Sequence, residues 1–173
     1  MASKSKRARM VPQRNFAKTF KYWAITVFII KLIIIFSIAA GSIEILTKPY
    51  IVDGVWLGSD GENYITGFNA LIRDGIFSKE NILSYWPAGY PLIISLLSIL
   101  GKSWALTTLS IVQSLIFSFA VYLFASHLAR TRIKKYAYLV FLLIILNPTL
   151  SLISISVGYE SLTVSGFLIT AAL

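Results

Sequence analysis

The chain has 173 residues, of which 57% are hydrophobic and 13% charged, with a net charge of +9 and no cysteine. Soluble domains carry about 25% charged residues, so this composition, with a mean hydropathy of +0.76, predicts an integral membrane protein. The lack of cysteine excludes disulfides, thiolate catalysis and cysteine zinc sites. A single histidine, His127, cannot build a metal cluster, and we interpret it as an interfacial residue.

Basic residues concentrate at the N-terminus, where residues 1–21 hold seven of the sixteen and no acid. A basic segment ahead of an apolar run is typical of a cytoplasmic flank held near anionic headgroups. We therefore interpret this tail as a topology signal and do not expect nucleic-acid binding.

The first apolar run covers residues 22–46, which is 25 residues. A signal-peptide core has roughly 7–15 residues, so we predict a retained transmembrane anchor, although the SIAAG stretch (37–41) weakly resembles a cleavage site. Lys31 interrupts the run. We expect its side chain to extend towards the cytoplasmic headgroups.

The later apolar runs cover residues 91–100, 105–128, 136–157 and 162–173. A spanning helix needs about 20 residues, so the run 91–100 is predicted not to cross. The positive-inside rule agrees, because the basic RTRIKK stretch then becomes a cytoplasmic turn. The predicted order is a cytoplasmic tail (1–21), span 1 (22–46), an external loop (47–104), span 2 (105–128), a cytoplasmic turn (129–135), span 3 (136–157), an external turn (158–161) and the start of a truncated span (162–173).

These segments predict an all-α integral membrane fold, a multi-span helical bundle with juxtamembrane amphipathic helices in a large first external loop. Because the last run is too short to cross, we expect the chain to be a fragment. Gln113 is predicted to hydrogen-bond across the bundle, and Asn147-Pro148 to kink span 3. A stripe of small residues in span 2 is predicted to allow close helix packing: Ser110, Ser114 and Ser118.

The external loop contains a predicted amphipathic helix at about 60–74, which Gly75 ends. We expect it to lie in the membrane interface with its apolar side down. A second helix at 91–100 is predicted to dock on the membrane surface or the bundle. Three residues between the two helices are interpreted as aromatic-belt residues: Tyr85, Trp86 and Tyr90.

Asp60 opens the amphipathic helix, and two interpretations of it remain open. In the first it belongs to a helix cap, since Ser59 and Glu62 fit a capping box. In the second it is an ionised carboxylate, favoured by the helix dipole, that acts as a general base. The predicted topology places Asp60 and Glu160 on the same external face.

Four features carry a resemblance to a known family: the DGENY stretch (60–64), the PAGYPL stretch (87–92), the Asn147-Pro148 pair and Glu160. In this order they resemble the N-terminal part of the GT-C membrane glycosyltransferases, most closely the dolichyl-phosphate-mannose-protein mannosyltransferases and their bacterial relatives. The chain departs from the family pattern at two positions. Gly61 stands where the family often has a second acid, and Ala88 stands where it has a second proline.

The resemblance implies inverting transfer of a sugar from a polyprenyl-phosphate donor in the membrane to a hydroxyl of a protein, lipid or glycan acceptor. The site would face the periplasm, the cell exterior or an organelle lumen. Asp60 would be the general base, and Glu160, Glu62 and Tyr64 would orient the acceptor or a divalent cation. We expect the fragment alone to be inactive.

Arg73 and Lys102 are weaker candidates for contacts to the donor phosphate. The alternative to an enzyme is a non-enzymatic membrane subunit or a transporter fragment in which Asp60 only caps a helix. A transporter is expected to bury ionisable groups within its spans, and Lys31 interrupts the core of predicted span 1.

Overall fold

A computed structural model describes residues 14–41, 51–52, 54–58, 60–75 and 89–173. These residues are mostly helical. The elements in chain order are α1 (Arg14–Ala39), β1 (Ile51–Val52), β2 (Val55–Trp56), α2 (Gly61–Asp74), α3 (Gly89–Leu97), α4 (Lys102–Leu128), α5 (Ala137–Leu146), α6 (Pro148–Ile153) and α7 (Glu160–Ala172). Short 3-10 turns occupy Ser98–Leu100 and Lys134–Tyr136.

Among the described residues, two helices are long and apolar enough to cross a membrane, judged by length and composition. They are Lys18–Ala39 within α1 and Trp104–Leu128 within α4. α4 is the centre of the fold, because both α1 and α7 pack along it. The stripe Ser110, Ser114 and Ser118 is buried in these contacts, as small residues at a close helix interface should be.

The two ends of the helix bundle differ in charge. At one end Phe20 of α1 packs on Phe141 of α5, with ring centroids 5.1 Å apart, so the basic start of α1 lies near the basic turn 130–135. At the other end Gly54 of the β-hairpin lies against Ala39, the last residue of α1. The hairpin, α2 and α3 therefore lie at the end away from these basic segments.

α2 packs its apolar face on protein, where we expected it to lie on the membrane interface. Tyr64 and Phe68 are only 2% and 8% exposed. The reason is that α3 and the first turns of α4 supply a complementary apolar surface. The resulting buried cluster consists of Val55, Leu57, Tyr64, Phe68, Tyr90, Ile94, Ala105, Leu106, Leu109 and Val157.

The segment 136–157 was expected to be one kinked span, and it is instead broken into α5 and α6. Asn147 has φ −65° and ψ 115°, because the ring of a following proline disfavours the helical region. The Asn147 Oδ1 accepts from the Leu150 amide at 3.0 Å, and the Ser151 hydroxyl donates to the Ile145 carbonyl at 2.9 Å. Such side-chain bonds satisfy the backbone groups that a broken helix exposes.

A small β-structure modifies the all-helical expectation. Ile51 pairs with Trp56 in an antiparallel hairpin, and Gly54 in its turn has φ 73°, a conformation that glycine adopts without steric cost. The hairpin continues into an isolated parallel bridge between Leu57 and Val157. Tertiary pairing of this kind leaves little signal in so short a stretch of sequence.

Candidate functional site

The candidate site is built on the bridge between the hairpin and the segment after α6. The Val157 amide donates to the Trp56 carbonyl at 2.8 Å, and the Gly58 amide donates to the Val157 carbonyl at 2.9 Å. The two segments of the bridge run in the same direction, and each is followed by a helix that begins within four residues. The N-termini of α2 and α7 therefore begin beside each other.

Glycine permits the close approach of the two chains at this bridge. A Cβ on Gly61 would lie 2.7 Å from the Val157 carbonyl oxygen, closer than real side chains allow. A Cβ on Gly58 would lie 3.6 Å from the Glu160 Oε2, and one on Gly158 would overlap the same oxygen. The Glu160 carboxylate therefore occupies space that these glycines leave open.

Tyr64 lies within electrostatic reach of both acids. Burial raises the pKa of Tyr64 from 10.0 to about 12, and the negative charges of Asp60, Tyr159 and Glu160 raise it in the same direction. The phenol therefore remains protonated at neutral pH and can donate a hydrogen bond. The structure thus places Asp60 and Glu160 within electrostatic reach of the same tyrosine, Tyr64.

Asp60 occupies the N-cap position of α2 with φ −104° and ψ 6°, and its side chain makes no capping hydrogen bond. A capping carboxylate normally accepts from an amide in the first turn. The capping interpretation of Asp60 therefore lacks its defining bond. Ser59, the other candidate cap, lies outside the described residues.

A buried network supports the loop that carries Glu160. The Tyr90 hydroxyl accepts from the Gln113 Nε2 at 2.6 Å and from the Gly158 amide at 3.0 Å. The Gln113 Nε2 also donates to the Gly158 carbonyl at 2.9 Å. This network confirms that Gln113 hydrogen-bonds across the bundle, and it ties α3 and α4 to the residue two positions before Glu160.

Sequence reasoning missed the role of Tyr90. We interpreted it as an aromatic-belt residue, but it is 5% exposed, and its ring centroid lies 4.6 Å from that of Tyr64. Burial raises its pKa well above the ordinary value, against the lowering effect of its bonds to Gly158 and Gln113. Its place one helical turn before the buried Ile94 gave a weak signal, but its partners come from elsewhere in the chain.

The remaining sequence candidates are Glu62, Arg73 and Lys102. Glu62 is exposed on α2. Arg73 is also exposed and pairs with Asp74, with its Nη2 2.7 Å from the Asp74 Oδ2. It lies thirteen residues after Asp60, which is about 20 Å along a helix. α4 begins at Lys102, whose side chain lies outside the described part of the structure.

Lys31 is buried, and our expectation that it reaches the cytoplasmic headgroups is wrong. It is 4% exposed, its Nζ donates to the Ser154 hydroxyl, and the Nζ lies 4.2 Å from the centroid of the Phe117 ring. Lys31 lies eight residues before Ala39, about 12 Å from the C-terminal end of α1. The Lys31 side chain is buried because its ammonium group contacts the Ser154 hydroxyl and the face of the Phe117 ring.

The described part of the chain contains no group of three or more His, Cys, Asp or Glu residues that could hold a metal ion. A metal site made of protein groups alone therefore has little support there. Asp60 and Glu160 provide two carboxylates. Mg²⁺ is often held by one or two carboxylates together with substrate phosphates. The site therefore fits a divalent cation that a phosphorylated substrate helps to coordinate.

Comparisons with protein-family models, with curated proteins and with solved structures find no match to this chain. The chemistry of the site is therefore the starting point for function. Asp60 and Glu160 place two carboxyl groups at the N-termini of the adjacent helices α2 and α7. Together with a protonated phenol, they form a site suited to accepting a proton from a bound hydroxyl.

Proposed function

We propose that this chain is the N-terminal region of a membrane glycosyltransferase that uses a polyprenyl-phosphate-linked sugar, with Asp60 as the general base. The observation that carries the proposal is that Asp60 and Glu160 begin adjacent helices and both lie within electrostatic reach of Tyr64. The resemblance of the DGENY and PAGYPL stretches to GT-C enzymes supports the reaction class. The lack of a capping bond at Asp60 favours this function over a purely structural role.

The proposed topology has a cytoplasmic N-terminus and an external site. It is supported by the grouping of the basic start of α1 and the turn 130–135 at one end of the bundle. Basic residues favour the cytoplasmic side. α2 and α3 pack at the other end, and in this proposal they form a cap over the outer leaflet.

The proposed reaction is a single displacement. Asp60 accepts the proton of the acceptor hydroxyl while the hydroxyl oxygen attacks the anomeric carbon from the side opposite the lipid phosphate. The bond between the anomeric carbon and the phosphate oxygen breaks, and the lipid phosphate leaves with its electron pair. The configuration at the anomeric carbon is therefore inverted.

Glu160 and Tyr64 are proposed to hold the acceptor. The Tyr64 phenol donates a hydrogen bond, and the Glu160 carboxylate accepts one from a second hydroxyl of the acceptor. A divalent cation, when bound, would neutralise the charge that develops on the leaving phosphate. Asp60 and Glu160 are the described residues that would hold it.

A transfer assay tests the proposal. The full-length protein that contains this chain is purified and supplied with a panel of polyprenyl-phosphate sugars and hydroxyl acceptors. We expect Asp60→Asn to lower the rate by about 100-fold or more, because general-base catalysis typically contributes 10²–10⁴-fold. Asp74→Asn is the matched control, since Asp74 is exposed at the far end of the same helix, and it should retain the wild-type rate.

Two results would contradict the proposal. Transfer by Asp60→Asn at the wild-type rate would exclude Asp60 as the base. The absence of transfer from every lipid-linked sugar by a folded wild-type protein would instead favour the non-enzymatic alternative.

A further inference from the structure

A groove of about 300 Å³ lies between α1 and α4, towards the basic end of the bundle. It opens on the outer surface, because Ile25 and Phe119 in its walls are 45% and 54% exposed. The residues of each wall follow one helix face with the spacing i, i+3, i+4 and i+7. α1 contributes Lys21, Ala24, Ile25 and Phe28, and α4 contributes Leu115, Ser118, Phe119 and Tyr122.

The two helices run antiparallel along this groove. Phe20, near the start of α1, shares a buried cluster with Ala125, near the end of α4. Ile35, near the end of α1, packs in a second cluster with Ile111, which belongs to the first half of α4. The first groove residue of α1 therefore lies at the same level as the last groove residue of α4.

This antiparallel order makes the groove polar at one end and apolar at the other. Lys21 and Tyr122 lie together at the basic end of the bundle. Phe28 and Leu115 lie seven residues further along their helices, which is about 10 Å deeper in the bundle. A polar end above an apolar slot of this length fits an amphiphile that lies parallel to the helices.

Lys21 provides a positive charge at the polar end. Its side chain is exposed, and its ammonium has no hydrogen-bond or salt-bridge partner in the described part of the chain. Neither α1 nor α4 contains an acid. The turn at this end of the bundle adds four more cations: Arg130, Arg132, Lys134 and Lys135. Positive charge without a neighbouring acid attracts an anionic partner.

The size of the groove favours a hydrocarbon chain over a helix. A volume of about 300 Å³ spread over a length of about 10 Å gives a cross-section of roughly 30 Å². An α-helix with its side chains is about 10–12 Å across, so its cross-section is roughly 80 Å² or more. The groove therefore admits one hydrocarbon chain and is too narrow to enclose a helix.

We propose that this groove binds an anionic glycerophospholipid from the membrane leaflet at the basic end of the bundle. The lipid phosphate contacts the Lys21 ammonium, and the Tyr122 hydroxyl lies at the level of the headgroup. One acyl chain extends into the groove towards Phe28 and Leu115, and the other stays in the bilayer. Basic pockets between membrane helices are suited to anionic headgroups.

The groove is separate from the candidate site with Asp60 and Glu160. Lys21 lies 18 residues before Ala39, which is about 27 Å along α1. Ala39 lies against the β-hairpin, and the bridge that precedes both acids follows that hairpin. The lipid proposed here therefore binds at the opposite end of α1. Its binding requires α1 and α4 to cross a membrane, and it does not depend on sugar transfer.

Native mass spectrometry of the full chain in a nonionic detergent tests binding, with phosphatidylglycerol and phosphatidylcholine of identical acyl chains as probes. We expect the wild type to retain phosphatidylglycerol in preference, because its headgroup carries a net negative charge and that of phosphatidylcholine does not. Lys21→Met should weaken phosphatidylglycerol binding by about fivefold, the effect of one cation near an anionic headgroup. Its effect on phosphatidylcholine should be small.

Three further variants separate the groove from the overall charge of this end. Lys134→Met removes an exposed cation that does not line the groove, and it should bind phosphatidylglycerol like the wild type. Leu115→Trp fills the deep end, keeps Lys21 and should abolish retention of both lipids. Leu139→Trp adds the same side chain at an exposed position of α5 and should have no effect. Since Leu115 is 51% exposed, Leu115→Trp should fold, and thermal unfolding verifies this.

Equal retention of the two lipids by the wild type would overturn the proposal, because the headgroup charge would then contribute nothing. Unchanged phosphatidylglycerol binding by Lys21→Met, or an equal loss in Lys21→Met and Lys134→Met, would also overturn it. So would wild-type retention of phosphatidylglycerol by a folded Leu115→Trp. A wild-type dimer that Leu115→Trp dissociates would assign the groove to a second copy of the chain and exclude the lipid.

Discussion

Leu57 and Val157 form a parallel β-bridge that joins the segment after β2 to the segment after α6. Asp60 follows Leu57 by three residues, and Glu160 follows Val157 by three residues. The Leu57–Val157 backbone pairing therefore fixes the positions of both acids relative to each other along the two segments. Because α2 and α7 begin at this point, both acids lie at helix N-termini.

Gly61→Ala should loosen the bridge. The added Cβ would lie 2.7 Å from the Val157 carbonyl oxygen and 3.0 Å from the Leu57 Cβ, so the backbone must move. We expect a loss of about 1–3 kcal/mol in the free energy of unfolding, the usual cost of overpacking. Thermal or denaturant unfolding of the purified protein measures it.

Gly166→Ala is the matched control for that substitution. Gly166 is exposed within α7, and a Cβ there would meet nothing within 4 Å. Alanine is favoured over glycine inside a helix by about 1 kcal/mol, so this variant should be more stable than the wild type. Equal effects of the two substitutions would refute the close approach at Gly61.

Tyr90→Phe should destabilise the loop before Glu160. It leaves the Gly158 amide and one Gln113 amide hydrogen buried without their acceptor. An unsatisfied buried polar group costs about 1–3 kcal/mol. Tyr136→Phe, at an exposed tyrosine, should have little effect.

The same network predicts coupling between Tyr90 and Gln113. In a double-mutant cycle with Tyr90→Phe and Gln113→Leu, the combined loss should differ from the sum of the single losses by about 0.5–3 kcal/mol. Additive losses would mean that the two residues do not share the bonds to Gly158.

Tyr64 should titrate near pH 12, well above the ordinary value of 10.0. Because its pKa is raised in the folded state, the stability associated with the neutral phenol is present below pH 10 and is lost as the pH rises through 12. NMR of tyrosines labelled at Cζ, with Tyr64→Phe to assign the signal, follows the titration.

The acids should contribute to that shift. Asp60→Asn and Glu160→Gln each remove a negative charge, so each should lower the Tyr64 pKa towards 10, while burial keeps it raised. Glu62→Gln serves as the control on an exposed face of the same helix. If neither substitution changes the Tyr64 pKa, the two carboxylates do not lie near the Tyr64 phenol.

The proposed topology predicts the accessibility of single cysteines. The chain has no native cysteine, so Thr66→Cys on α2 and Arg132→Cys in the basic turn can each be labelled without background. Both positions are exposed. A membrane-impermeant maleimide added outside intact cells should label position 66 and leave position 132 unlabelled until the membrane is opened. Labelling of position 132 from outside would reverse the topology.

The sequence predicted those features that depend on local pattern. Hydropathy and length identified α1 and α4, amphipathic spacing identified α2, and the Asn147-Pro148 pair indicated a disruption. The inward orientation of Gln113 followed from a polar amide within an apolar helix. The partners of Gln113 were not predictable, because Tyr90 and Gly158 are distant in the chain and meet it only in the folded state.

Composition and hydropathy alone predicted a helical chain with helices long and apolar enough to cross a membrane, and the sequence places an acid after the first of them. The tertiary structure decided where the charged groups lie. It turned Lys31 inward to Ser154, kept Arg73 at the far end of α2 and placed Asp60 and Glu160 beside one tyrosine. The physical reason is that the position of a residue along its helix fixes the helix face that it occupies. The residues that it contacts depend on which backbone segments can approach each other closely. In this protein, glycines at the Leu57–Val157 bridge permit that approach.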